Sequence, residues 1–556
     1  MAVYYVDKNR GNDNNNGLSP TSAWQNLEKI DDTAYGSGTA FLLADDSVWA
    51  PAITSRVVPP TSWSGTQDDP IVIGKYSPLS ASNGNPTVKW HHDTAEADWS
   101  ATGTPNIWVY SNPGNWTFTN SCLMRLGNTW SASAVDTETS PGTLSQVDGR
   151  FYANPSNSTV YLYAPSNPVA YYGSVKMSPA ITGYFTLSSG RNWVTIQDIL
   201  FRETGCGINL FSGDSNTASY IVQRVKGKTV SNLINYSGTT GGVLKAWIRE
   251  CNISDFGSTA IKTAGTAGMS TLEIYNNRID DGVNCWSQAA IYITSRATSF
   301  TPKIYGNYIS NCRWGTRDKT VDGCAIYTET ASDQCEVYSN LIEDCYMALQ
   351  DNSGRKATFY GNVINRCWSA IRVSDQAAVG STDHNFYNNT CLIGYDGVGP
   401  GTYGTAIASA GVRVFKSSGG SVALNIRNNI FHHMSGVNSS AAILLPQVSY
   451  TGSLNNNWFS NYTYDAKLEF SPETVTNTTK AGTGNPEVYP DFKPRNAKLF
   501  NGGANLGGTD FNGASFPSSP SIGAVQCVGA YPKATYTDYE SVGDKESFIR
   551  GRGRRR

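Results

Sequence analysis

Ile304-Tyr-Gly-Asn307-Tyr-Ile309, Val337-Tyr-Ser-Asn340-Leu-Ile342 and Phe359-Tyr-Gly-Asn362-Val-Ile364 are one hexapeptide written three times. The pattern is apolar, polar or aromatic, small, Asn, any, apolar. It extends backwards to Ile274-Tyr-Asn-Asn277-Arg-Ile279. It extends forwards to Phe386-Tyr-Asn-Asn389-Thr-Cys391, Ile426-Arg-Asn-Asn429-Ile-Phe431 and Leu454-Asn-Asn-Asn457-Trp-Phe459. Further upstream the same frame puts Ile199, Val225 and Cys251 where Asn later stands. The steps 199→225→251→277 are 26 residues each, and the later ones are 30, 33, 22, 27, 40 and 28. Short strands of fixed length joined by loops of variable length are the signature of a coil of stacked β-rungs.

Side-chain chemistry agrees with that period. Alternation by two sends the apolar residues into a coil and their neighbours out. The recurrent Asn is expected to turn a corner, because Asn tolerates the left-handed region better than other non-Gly residues. Stacked Asn amides can also hydrogen-bond from rung to rung. A leucine-rich repeat needs several leucines at short period, whereas Ile, Val and Phe fill the inward positions here. The expectation is an all-β chain: a right-handed parallel β-helix.

The composition fits. The chain has 556 residues, 15% of them charged, with 54 Gly and 31 Tyr, a β-rich, extracellular-style balance. Net charge is −2, which removes the bulk electrostatic case for nucleic acid. No apolar run is long enough to span a membrane, so membrane insertion is not expected. The opening Met1-Ala-Val-Tyr-Tyr-Val-Asp7 reads as a strand rather than a secretory signal. Either a signal was removed or the protein leaves its producing cell by another route, such as lysis. Of 11 cysteines, Cys312, Cys345 and Cys367 each lie five residues after a repeat Asn, which stacks them as buried thiols in one column. No Cys-x-x-Cys pair supports a zinc site, and neither metal nor cofactor is expected.

Five regions are read along the chain. Residues 1–90 form an N-terminal cap and first rungs, where Ser22 and Gln25 have the spacing of a capping box for a short helix over 23–30. Residues 91–180 form a β-rich insertion, with a hairpin from Gly149-Arg-Phe-Tyr152 and Thr159-Val-Tyr-Leu-Tyr163. Residues 181–460 are the regular coil, 461–527 irregular closing rungs, and 528–556 a polar basic tail. The strand and helix at the start, and Pro490-Asp-Phe492 and Pro520-Ser-Ile-Gly-Ala524 near the end, resemble the capping elements of the pectate-lyase-like superfamily of right-handed β-helix proteins. That resemblance covers roughly residues 1–527. It implies the fold but not one activity, since lyases, hydrolases, epimerases and phage tailspikes share it.

A second strand in each rung opens with a small residue and then Ile or Leu: Ala290-Ile291, Ala325-Ile326, Ala348-Leu349, Ala370-Ile371, Ala406-Ile407. The next residue faces out, which gives the column Asn209, Lys262, Tyr292, Tyr327, Gln350, Arg372 and Ala408. Two residues on stand Glu329, Asn352 and Ser374, with Asp351 and Asp375 at the strand ends. Tyr292, Tyr327, Gln350, Arg372, Trp314 and Trp368 are the expected glycan-binding residues. Glu329, Asp351 and Asp375 are the expected catalytic acids, unless they are solvated turn residues. Strands ~4.8 Å apart put carboxylates of neighbouring rungs at a retaining-glycosidase separation, and those two rungs apart near the upper end for an inverting pair.

The resemblance and the site chemistry together imply a bacteriophage tailspike or tail-fibre depolymerase. It would be a virion protein that binds host receptor polysaccharide and cleaves it by glycoside hydrolysis. A polysaccharide lyase acting on a uronate polymer, with Lys262 or Arg372 as base, is the alternative. A non-catalytic glycan-binding tail protein, or a secreted one, is another. Bacterial surface polysaccharide and other phage tail proteins are the expected partners. A homotrimer is expected too, with the outward column Tyr275, Tyr305, Tyr338, Tyr360 and Tyr387 at or near a subunit contact.

Overall fold

A computed structural model of the chain describes residues 2–483 apart from connecting segments, of which the longest are 112–122, 133–150, 313–322, 395–408 and 469–479, together with Ile522 and Gly523. Trp314, the 406–408 strand start and the 528–556 tail therefore lie outside the described residues. The chain is a right-handed parallel β-helix. It divides into two compact units. One holds Met1–Thr271, Ile279–Ser295 and Gly315–Val321, and the other Leu272–Arg278, Arg296–Trp314 and Asp322–Arg556.

In the first unit, strands Val3–Val6, Ala40–Ala44, Ile71–Tyr76, Val194–Gln197, Ala218–Gln223 and Leu244–Arg249 follow one another in a parallel sheet. The opening strand is where the sequence reading put it, but the helix over 23–30 is not. Trp24 bridges Val6 and stacks on Tyr4, so the chain stays extended there. Short 3-10 turns, Pro20–Ser22 and Leu27–Asp31, flank it, and Ser19 rather than Ser22 makes the capping box.

The segment from His92 to Ser178 leaves the coil and forms two four-stranded antiparallel sheets. Trp99, Tyr110, Met124, Phe151, Val160, Leu162, Val175 and Met177 pack between them as a core of their own. The expected hairpin is present as Phe151–Asn154 against Thr159–Tyr163. The outer face of one sheet carries the row Arg125, Lys176, Asp93, aligned across three strands. That row meets the corner of the coil at Glu203. The Glu203 carboxylate lies 3.9 Å from Arg125 and 3.4 Å from Arg202, and 3.9 Å from His91.

In the second unit the repeat hexapeptides form the amide ladder that their spacing foretold. Nδ2 of Asn277, Asn307, Asn340, Asn362, Asn389 and Asn429 each donates to Oδ1 of the next Asn at 2.9–3.0 Å, ending at Asn457. The same Oδ1 accepts the backbone N–H of the rung before. In the first unit Ile199, Val225 and Cys251 stand at this position and are buried.

The ladder Asn does not itself turn the corner. The left-handed residue is the one before it: Asn276, Gly306, Ser339, Gly361, Asn388, Asn428 and Asn456, with φ between 54° and 65°. The amide ladder needs the Asn side chain directed inward in ordinary extended backbone, so the preceding small or Asn residue takes the strain. A second left-handed corner recurs four residues after the ladder position, at Glu203, Thr229, Asp255, Asp281, Asn311, Asp344, Arg366 and Asn461. Charged corner residues neutralise one another between rungs, as Arg224 does with Asp198 and Arg366 with Asp344.

The eight described cysteines are buried and free, and the Cys345 thiol touches those of Cys312 and Cys367. Burial pushes the Cys345 thiol well up.

Tyr275, Tyr305, Tyr338, Tyr360 and Tyr387 stack with ring centroids 4.8–5.0 Å apart and planes within 6° of parallel. Each pair adds about 0.5–1.5 kcal/mol beyond its buried area. Burial, then nearby Glu336, pushes Tyr338 and Tyr387 up to about 12. A tyrosine raised in the fold contributes stability that is whole below its unfolded pKa, near 10, and is lost as pH climbs through the folded value. An alkaline titration of tyrosinate absorbance is therefore expected to show a late class of tyrosines, with unfolding setting in between roughly pH 10 and pH 12. A single titration step at the ordinary value would remove the burial argument.

Candidate functional site

Strands Cys324–Thr330, Met347–Asp351, Ser369–Asp375 and Val412–Lys416 lie in parallel register in the second unit. Ile326, Leu349, Ile371 and Val412 form one inward column. Thr328, Asp351, Val373 and Val414 form the next. The outward column between them is Tyr327, Gln350, Arg372 and Arg413.

Three of the six expected binding residues, Tyr327, Gln350 and Arg372, thus follow one another in this column. The chain Tyr327–Asn352–Gln350 is hydrogen-bonded: Asn352 Nδ2 donates to the Tyr327 hydroxyl, and Gln350 Nε2 donates to Asn352 Oδ1 at 3.2 Å. Tyr327, Arg372 and Arg413 are half-buried, and Glu329 is exposed at the end of its strand. Trp368 is half-buried at the bend before Ser369–Asp375, where its carbonyl accepts the Ser409 hydroxyl at 2.6 Å. Tyr292 belongs to the first unit, buried under Lys262, whose ammonium sits 6.0 Å from its ring centroid.

The expected pairing of Glu329 with Asp351 on one face is corrected. Asp351 is in register with Thr328, one residue before Glu329, and a one-residue offset on a strand is a change of face. Asp351 is fully buried inside the coil. Its Oδ1 accepts the Thr328 hydroxyl at 2.8 Å, and its Oδ2 lies 3.8 Å from Nδ1 of the equally buried His384. Asp375 closes its strand opposite Lys416, and its side chain lies outside the described residues.

Arg413 is a residue that sequence reading missed. The expected column continued from Arg372 to Ala408, through Ala406-Ile407. The rung that forms uses Gly411-Val412-Arg413 instead. Forty residues separate Asn389 from Asn429, and within that long step two small-apolar pairs compete for the same register. His433 is buried with Nε2 3.2 Å from Ser409 Oγ. The half-buried His432 has its pKa lowered to about 4 by burial and by His433.

Chemically, the outer face offers an aromatic ring, the Asn352 amide, two guanidinium groups one rung apart and one exposed carboxyl, while Gln350 is buried. Rungs ~4.8 Å apart let two arginines reach one anionic group or neighbouring hydroxyls of an extended polymer. Among the described residues no group of three or more His, Cys, Asp or Glu is placed to hold a metal ion.

The family model for the right handed beta helix region matches residues 185–364 and 233–405. No curated protein sequence matches the chain. Among solved structures, one of XylC in complex with xylose is similar at 13% identity and a TM-score of 0.56, covering 95% of this chain and 98% of that one. A glycoside hydrolase aligns at 10% identity with a TM-score of 0.40, covering 87% and 97% of the two chains. A GH136 lacto-N-biosidase from Eubacterium ramulus aligns at 11% and 0.40, covering 84% of this chain and 68% of that one. The likeness to XylC is one of fold.

Proposed function

We propose that the chain binds a bacterial surface polysaccharide along the outward face of Tyr327, Arg372 and Arg413 and hydrolyses it with Glu329 as an acid. The in-register outward column beside an exposed glutamate supports this reading. With Asp351 inside the coil, the one-rung pair is gone. Asp375 follows Val373 by two residues and so shares its inward parity, which takes away the two-rung pair with Glu329 as well. Capsular or O-antigen polysaccharide would be incubated with the protein, reducing ends counted, and the anomer of the first product read by NMR. New reducing ends are expected, and their anomeric configuration tells whether Glu329 works in a retaining or an inverting site. Binding without any product over a long incubation would return the protein to the non-catalytic class.

The adjacent Arg372 and Arg413 favour a second reading, a lyase acting on an acidic sugar polymer. A product with unsaturated-uronate absorbance would select it.

The biological setting we propose is a phage tailspike, homotrimeric in the virion. Avidity for a repetitive polymer supports that assembly, since later binding events become intramolecular. The Tyr275–Tyr387 stack counts little toward it, because its rings cover one another within one chain. Light scattering is expected to give three times 60.0 kDa, about 180 kDa. A monomer at micromolar concentration would remove the trimer.

A further inference from the structure

The two-sheet module from His92 to Ser178 has a second outer face, on the sheet away from Glu203. Its strands are Phe151–Asn154, Thr159–Tyr163, Ile107–Ser111 and Trp99–Ala101, in that order. None of them carries a charged residue. A solvated antiparallel face ordinarily alternates apolar residues with charged and polar ones. Here the outward positions are Tyr152, Tyr161, Tyr163, Val109, Thr159, Ser111 and Ser100, with the buried Ile107 opposite Tyr163, since the alternate positions Phe151, Val160, Leu162 and Tyr110 fill the module's core.

The three tyrosines form a patch. Tyr161 lies opposite Tyr152 on one side and Val109 on the other, and Tyr163 is two residues along the same face. The Tyr152 and Tyr161 rings are 6.2 Å apart at 20°. They are stacked with a larger offset than the 4.8–5.0 Å ladder of the second unit. Tyr163 is held by Asn106, whose Nδ2 donates to its hydroxyl at 3.2 Å. All three tyrosines are half-buried rather than enclosed in the module's core.

We propose that this face is a second glycan-binding platform, separate from the Glu329 column and suited to a neutral oligosaccharide segment. Aromatic faces stack on the apolar C–H surface of a pyranose ring, and Ser100, Ser111, Thr159 and Asn106 can exchange hydrogen bonds with its hydroxyls. The sheet has no charge to offer an acidic sugar. Four strands of three to five residues span roughly 300 Å² at ~4.8 Å between strands and ~3.4 Å per residue. A stable protein partner needs about 800 Å² per side, whereas a few sugar rings fit. The module's separate core lets the platform act whatever the Glu329 site does.

The test is affinity electrophoresis of the whole chain through gels containing hydroxyethyl cellulose, xylan, glucomannan or dextran, with polygalacturonate as the acidic polymer. At least one neutral polymer is expected to retard the protein. Tyr161→Ala and the edge-strand variant Tyr152→Ala are expected to weaken that retardation by about tenfold or more. Tyr161→Phe is expected to keep it. Near-UV circular dichroism checks that the alanine variants keep the module folded; if Tyr161→Ala unfolds it, Tyr152→Ala decides. No retardation by any neutral polymer, retardation by polygalacturonate alone, or wild-type retardation of the folded alanine variants overturns the proposal. So does a self-association that Tyr161→Ala abolishes, which would assign the face to a second copy of the chain.

Discussion

Glu329→Gln is expected to lower depolymerase turnover by about a hundredfold or more while leaving the fold and glycan binding intact, because a positioned acid or base contributes on the order of 10²–10⁴ to rate. Glu329 is exposed at the end of strand Cys324–Thr330, next to the hydrogen-bonded Tyr327–Asn352–Gln350 set, and glutamine matches it in size. Asp351→Asn is the paired control. It keeps an acceptor for the Thr328 hydroxyl and alters a group that no polymer on the outer face can reach, so turnover is expected to stay at the wild-type level. Its effect should appear in stability instead, since changing one member of a buried His–Asp pair leaves the other without its counterpart. Rates and melting curves of the two variants, measured side by side, separate the roles. A Glu329→Gln protein with full turnover would remove this carboxyl from the mechanism. An inactive but stable Asp351→Asn protein would mean that the coil opens during catalysis.

Asn340→Ala is expected to destabilise the second unit by about 3 kcal/mol or more, since each buried polar group left without a partner costs about 1–3 kcal/mol. Asn340 Oδ1 accepts both the backbone N–H and Nδ2 of Asn307. Its own Nδ2 donates to Asn362 Oδ1 and to the carbonyl of Ile304. Alanine removes all of these at once in a fully buried place. Apolar residues are not forbidden at that position, because Ile199, Val225 and Cys251 occupy it in the first unit. There each apolar residue has an apolar neighbour in the column, whereas a lone alanine in the Asn column strands amides on both sides. Solenoids need not unfold in one step, so urea denaturation should be accompanied by hydrogen exchange. The Asn307 amide is expected to lose its protection first. Wild-type protection at Asn307 in the variant would sink the ladder argument.

The repeat hexapeptide was enough to read the coil, the inward columns, the amide ladder, the Tyr stack and the buried Cys column. Those features depend on period alone: residues two apart share a face and residues one rung apart are neighbours, whatever the loops do. The corner was misread because composition marks the ladder Asn more loudly than the residue before it. The left-handed φ at Ser339, Asp344 or Arg366 follows from rung geometry, which no local propensity announces. The helix expected over 23–30 failed for a related reason. Its capping spacing is local, and the Trp24 bridge to Val6 and stack on Tyr4 are tertiary.

The site was legible to the same depth. Tyr327, Gln350 and Arg372 share a face because each follows an inward Ile or Leu, and the sequence states that directly. Asp351 was assigned by its nearness to a strand end rather than by parity, and parity decides the face. Arg413 could not be read, since the forty-residue step before it leaves the register to be chosen by packing of Val412 under Ile371. His384 beside Asp351, and Glu203 among Arg125, Arg202 and His91, join residues far apart in sequence. Sequence by itself determined the period, and with it the fold and the faces of each strand. Only the tertiary structure decided which rungs are neighbours across long loops, and therefore which polar side chains meet, because loop closure is nearly indifferent to loop length and the register is settled by burial.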